Sequence, residues 1–255
     1  MNYKKIKNLK NKSKIICLTS YSSQITKILD KYCDLILVGD SLANVLYGMK
    51  NTHDITLETM AMHTIAVKKN IKKSVLIVDM PKGTYKTLAA AKKNAKYLMK
   101  KTKCDGVKIE SNGKNFNIIK KLVQLKIPVM GHIGYTPQFK KKFKVQGLNN
   151  YNQKKLIDES KRIEQAGAFS IVLECITKNT AKKITALLKI PTIGIGSSSY
   201  CDGQILVTDD LLGISGFHPK FVKRYAYLLK NIDKAVKKYA KEVKKNIFPN
   251  NKNSY

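Results

Sequence analysis

The sequence predicts a parallel (β/α)8 barrel in one domain. Three observations predict it. The length of 255 residues suits one such barrel. Eight short apolar runs recur, most ending on a polar residue or glycine. Amphipathic stretches separate most of them, as crossover helices require. The runs expected as strands are Ile15–Thr19, Leu35–Gly39, Val75–Val78, Gly106–Ile109, Pro128–Gly131, Phe169–Leu173, Thr192–Ile195 and Gln204–Val207. Each is nearly continuously apolar, which fits strands covered on both faces. Periodicity alone also allows an open doubly wound sheet; eightfold alternation over this length favours closure.

The helices follow in order. Ser23–Lys31 carries Ile25, Ile28 and Leu29 on one face, and Leu57–Lys69 carries Met60, Thr64 and Val67. Thr87–Lys101 is rich in alanine and lysine, both good helix formers. Asn115–Leu125, Asn152–Ala166 and Asn179–Leu188 come next. Ala166-Gly167 and Lys189-Ile190-Pro191 supply stop signals. Lys220–Asn246 reads as a closing helix, and a polar tail follows from about residue 247. No linker or low-complexity segment divides the chain, so one domain is expected over residues 1–255.

Composition excludes several function classes. No stretch approaches the ~20 apolar residues of a membrane span. Met1–Lys14 is rich in lysine and asparagine with no apolar run after it, so no cleaved signal peptide is expected. The five cysteines, Cys17, Cys33, Cys104, Cys175 and Cys201, form no C-x-x-C pair and read as small buried hydrophobes in a reducing cytoplasm. The net charge is +32, but only two of the 49 basic residues are arginine, the usual specific reader of phosphate and guanine. The lysines are spread over every expected helix. They predict a solvated basic surface that favours anionic substrates, with no nucleic-acid or membrane partner.

Barrel enzymes place their chemistry at the C-terminal ends of the strands. Those ends carry Asp40-Ser41, Asp79, Lys108 with Glu110, His132 and Glu174. Four of only 17 acidic residues thus gather at one rim. Clustered carboxylates repel one another unless a proton or cation intervenes, and hard oxygen ligands favour Mg2+. No Cys/His spacing suggests zinc. Lys108 and Glu110 are two apart on one strand and so face the same side. Plainer readings stay open for each: Asp40 as a turn cap, Asp79 as a turn former before Met80-Pro81, Glu110 as a lysine partner, Lys108 as one lysine of many, His132 as a core histidine and Glu174 as a surface acid. His53, His63 and His218 are given no role.

Several runs together resemble the ketopantoate hydroxymethyltransferase family. They are Leu37-Val38-Gly39-Asp40-Ser41-Leu42, Val107-Lys108-Ile109-Glu110, Gly131-His132-Ile133-Gly134-Tyr135-Thr136-Pro137-Gln138, Lys144-Val145-Gln146-Gly147, Val172-Leu173-Glu174-Cys175, and Ile193-Gly194-Ile195-Gly196 followed by Cys201-Asp202-Gly203-Gln204. The resemblance runs from about Lys14 to Pro249. It implies a barrel of the phosphoenolpyruvate/pyruvate type. It also implies transfer of a hydroxymethyl group from 5,10-methylenetetrahydrofolate, the co-substrate, to 3-methyl-2-oxobutanoate. The product would be 2-dehydropantoate, made through a Mg2+-stabilised enolate.

By the same resemblance Asp40, Asp79 and Glu110 match the family's magnesium-site acids. Asp40, Ser41, Asp79 and Lys108 match the groups that hold the oxo acid, and Glu174 matches the proton acceptor. His132 is expected to support the metal ligands from behind. A cytoplasmic homo-oligomer, a decamer, is implied.

The chain departs from the family in four places. Thr19-Ser20-Tyr21-Ser22 lacks the usual acid after the first strand. The loop usually reading Gly-His-Asp-Ser-Thr-Leu-Pro is Gly48-Met49-Lys50-Asn51-Thr52-His53-Asp54. The loop at 141–148 is lysine-rich, and Ser111-Asn112 replaces glycines after Glu110. A magnesium-dependent lyase or aldolase acting on another 2-oxo acid would use the same rim.

Overall fold

The computed structural model describes residues 3–140, 142–216 and 219–255. Lys141, the first residue of the lysine-rich loop, and His218 lie outside the described residues. Eight parallel strands close into a barrel in chain order. They are β1 (Ile15–Thr19), β2 (Leu35–Val38), β3 (Val75–Asp79), β4 (Gly106–Glu110), β5 (Val129–Gly134), β6 (Ser170–Glu174), β7 (Thr192–Ile195) and β8 (Gly203–Leu206). The helices are α1 (Tyr3–Asn8), α2 (Ser23–Leu29), α3 (Leu42–Val45), α4 (Leu57–Lys68), α5 (Leu88–Thr102), α6 (Phe116–Gln124), α7 (Asn150–Gln165), α8 (Lys178–Leu187), α9 (Thr208–Leu212) and α10 (Leu228–Lys244).

Local chemistry accounts for the helix ends. Thr56, Thr87 and Asn149 accept from Thr59, Ala90 and Asn152 N–H groups and so cap α4, α5 and α7. α7 stops before Gly167, whose φ of 93° suits only glycine.

Two apolar layers form. One lies between the strands and the surrounding helices and includes Ile36, Val78, Ile109 and Ile133. The other fills the barrel interior with Cys17, Leu35, Leu37, Val75, Ile77, Met130 and Val172. Helix α1, absent from the expectation above, joins the interior layer: Ile6 is fully buried there, and Tyr3 packs on Phe169 at 5.4 Å. Six residues with one buried side chain carry too little periodicity to be read as a helix. All five cysteines are buried and unpaired. Burial pushes the Cys33 and Cys104 thiols up to about 11, so they stay protonated.

The chain divides into two compact units, Met1–Val207 and Thr208–Tyr255. The first holds the whole barrel. In the second, α10 begins at Leu228 rather than at Lys220. The preceding backbone is committed elsewhere: Tyr225 N–H donates to Leu211, and Val222 N–H closes a turn on Pro219. No residue of α10 is buried, and Leu229, Ile232, Val236, Tyr239 and Val243 form one exposed apolar row. Among the described residues no helix is long and apolar enough to cross a membrane.

Candidate active site

Strand alternation and register bring the chemistry together. Paired positions on neighbouring parallel strands face the same side. Asp79 on β3 pairs with Lys108 on β4, and Glu110 pairs with His132 on β5. Glu174 ends β6 opposite Gly134. Asp40 and Ser41 lie in the turn between β2 and α3. Gly39 keeps that turn open: a Cβ there would stand 2.9 Å from Ser41 Oγ and 3.6 Å from Asp79 Oδ2.

Asp79 is a junction. Its Oδ1 accepts from Lys108 Nζ at 2.7 Å, and its Oδ2 accepts from the Asp40 backbone N–H at 3.0 Å. Glu110 joins through Gln138. The Gln138 backbone N–H donates to Glu110 Oε2 at 3.0 Å, and its side-chain amide donates to Asp40 Oδ2 at 2.8 Å and to the Met80 carbonyl at 3.0 Å. Tyr85 donates its hydroxyl to the Gln138 side-chain oxygen. His132 stands between two acids, with Nδ1 3.6 Å from Glu110 and Nε2 3.2 Å from Glu174. Neither contact has hydrogen-bond geometry, so both buried ring nitrogens lack a bonded partner. Ser41 is tied to Tyr21, hydroxyl to hydroxyl at 2.8 Å, rather than to the acids.

The electrostatics follow from burial. Asp40 is pushed up to about 7, first by burial and then by Asp79. Glu110 is raised well above the carboxylate range by burial and by Asp40. Glu174 reaches about 8 through burial, against the pull of Lys108. Burial works against the Lys108 ammonium, but Asp79, Asp40 and Glu110 together push its pKa up, so it stays charged. Burial, with Lys108 nearby, holds His132 well below its usual value, so its ring is neutral.

The site therefore combines one buried cation, three carboxyls driven toward their neutral forms and a neutral imidazole. Among the described residues no three His, Cys, Asp or Glu side chains form a ready ligand cluster. Asp79 accepts from the Asp40 backbone N–H, and Gln138 bridges Asp40 and Glu110. Glu174 differs from the other acids in exposure: its side chain is 17% accessible, against 3% for Asp79 and 2% for Glu110.

Sequence reasoning missed Gln138, Tyr85 and Tyr21 as parts of the site. Gln138 belongs to the Gly-His-x-Gly-x-Thr-Pro-Gln run, which was the available signal. Its partner Asp40 is 98 residues away, so spacing could not assign the contact.

The family model for ketopantoate hydroxymethyltransferase matches residues 1–251. The chain belongs to the ketopantoate hydroxymethyltransferase family. It is 49% identical over 255 residues to a 3-methyl-2-oxobutanoate hydroxymethyltransferase of Pelagibacter ubique (strain HTCC1062), covering 99% of each chain. As a member of this family it is an enzyme, a one-carbon transferase. Its barrel is similar to that of 2,3-dimethylmalate lyase, a PEP mutase/isocitrate lyase superfamily member, with a TM-score of 0.62 and 15% identity, over 94% of this chain and 98% of that one. It is also similar to phosphonopyruvate hydrolase, solved in complex with oxalate and Mg++, with a TM-score of 0.65 and 10% identity, over 99% and 93%. At such identities these likenesses concern the fold.

Proposed function

We propose that this ketopantoate hydroxymethyltransferase takes its one-carbon unit from 5,10-methylenetetrahydrofolate and places it on C3 of 3-methyl-2-oxobutanoate, forming 2-dehydropantoate. The observation that carries the reading is the division of labour among the acids. Asp40, Asp79 and Glu110 are deeply buried beside Lys108, while Glu174 stands apart and more open on β6.

Asp40, Asp79 and Glu110 would hold a Mg2+ ion, directly or through water. Their hard oxygens suit it, and a cation would offset the burial and the mutual repulsion that push Asp40 and Glu110 up. When bound, Mg2+ supplies Lewis-acid polarisation of a keto oxygen. Lys108 holds a permanent positive charge where enolate charge develops. Asp40, Ser41, Asp79 and Lys108 hold the oxo acid, with Ser41 oriented by Tyr21. Glu174 takes the C3 proton, and neutral His132 lies within 3.2 Å of it to orient that carboxylate. His132 thus stands between Glu110 and Glu174, placed to back either acid.

Product formation tests the reading. With Mg2+, 3-methyl-2-oxobutanoate and methylenetetrahydrofolate, 2-dehydropantoate is expected, and omitting the metal should abolish it. Absence of product at saturating concentrations would sink the folate-dependent reading and leave a lyase or aldolase on another 2-oxo acid.

We infer a cytoplasmic homo-oligomer, a decamer. The apolar row on α10 supports self-association, since its residues recur at intervals of three and four like a helix-pairing seam. Light scattering should give a mass near ten times the 28.8 kDa of one chain. A monomer at micromolar concentration would remove this part of the proposal.

A further inference from the structure

We propose that Thr52 is a further positioning residue of the active site, one whose hydroxyl fixes the carboxylate of Asp40 in the metal-loaded enzyme. Thr52 is 5% exposed, and its Oγ1 is buried with no hydrogen-bond partner. A buried hydroxyl left unpaired is costly, so it needs an explanation. Its surroundings supply one. The hydroxyl lies beside the Asp40 carboxyl but stops short of a formed hydrogen bond. Gln138 already holds Asp40 Oδ2, so a second donor would fix the carboxylate more fully.

The loop that carries Thr52 is itself tied down. His53 Nε2 lies 2.9 Å from the Pro137 carbonyl, which can only accept, so this nitrogen carries the proton. His53 Nδ1 then accepts from Lys82 Nζ at 3.0 Å. These bonds link the Thr52 loop to two other loops at the same rim. One carries Pro137 next to Gln138, and the other follows β3 through Met80, whose carbonyl Gln138 also holds. The Thr52 loop and Gln138 are thus held in one network beside Asp40.

The inference rests on the reading of Asp40 as a metal-site acid, and the test separates the two. The measurement is Mn2+ binding by calorimetry to the whole protein without substrates, with kcat and KM for the oxo acid measured in parallel. Residues that orient a ligand typically govern about 10- to 100-fold in metal affinity or activity. Thr52→Val removes the oxygen and keeps the shape. It is expected to weaken Mn2+ binding by about 10- to 100-fold and to lower kcat. Thr52→Ser keeps the oxygen and loses the methyl, and should match wild type in both. Thermal melting of each variant reports folding. Overturning results are Thr52→Val binding Mn2+ like wild type while Asp40→Ala does not, or Thr52→Ser failing as badly as Thr52→Val. If Asp40→Ala itself binds Mn2+ normally, the metal-site reading fails, and the inference falls with it.

Discussion

Glu174→Gln is expected to slow exchange of the C3 proton of 3-methyl-2-oxobutanoate with solvent by about 100- to 10,000-fold, measured without folate. Glutamine keeps the shape of the side chain and removes the base. Burial lifts the Glu174 carboxyl to about 8, and a base works only when deprotonated. The wild-type exchange rate should therefore rise as pH climbs through about 8, and the variant should lose that limb. Exchange at the wild-type rate in the variant would exclude Glu174 as the base.

The same shift has a stability consequence. Because the folded pKa is raised, the unfolded chain releases this proton first. In the metal-free protein the folded state is therefore progressively disfavoured between about pH 4.3, the free glutamate value, and about pH 8. The neutral amide escapes that cost. The melting temperature of Glu174→Gln should gain on wild type across this window and hold its lead above it.

Asp202→Ala is expected to destabilise the fold by about 3–5 kcal/mol, because it leaves a buried charge without its partner. Asp202 Oδ2 accepts from Lys10 Nζ at 2.7 Å, from Thr192 N at 2.8 Å and from the Thr192 hydroxyl at 3.0 Å. Removing it leaves Lys10, whose side chain is only 9% accessible, with the Thr185 carbonyl but no countercharge, and takes the acceptor from a buried backbone donor at the start of β7. For a chain of this size the melting temperature should drop by roughly 10 °C. Asp202 and Thr192 sit at the N-terminal ends of their strands, on the barrel face opposite the acids. The kcat/KM per folded molecule should therefore be unchanged. An unchanged melting temperature with lost activity would move this residue from the framework to the chemistry.

The Asp202 case shows a family-like motif serving the framework. The Cys201-Asp202-Gly203-Gln204 run resembles a run of the family, and its acid ties Lys10, after α1, to Thr192 at the start of β7. Gly203 contributes in the same way: a Cβ there would approach the Ile15 carbonyl at 2.5 Å, so only glycine lets β8 close on β1. Gln138 is the opposite case. It had no assigned role as a single letter at the end of a run, but it links Asp40, Glu110, Met80 and Tyr85.

What the sequence determined by itself was the barrel and the identity of its rim residues. Strands covered on both faces must be short and apolar, so their ends are marked wherever a charge appears. Asp79, Glu110 and Glu174 are such marks, and the structure puts each at the last residue of its strand. Tertiary structure alone decided which acid meets which base, that Gln138 bridges two acids, that Thr52 enters beside Asp40 and that Ile6 plugs the interior. These depend on barrel register and loop path, which join residues tens of positions apart. Local periodicity reports which face of an element is apolar. It carries no information about what lies across the cavity.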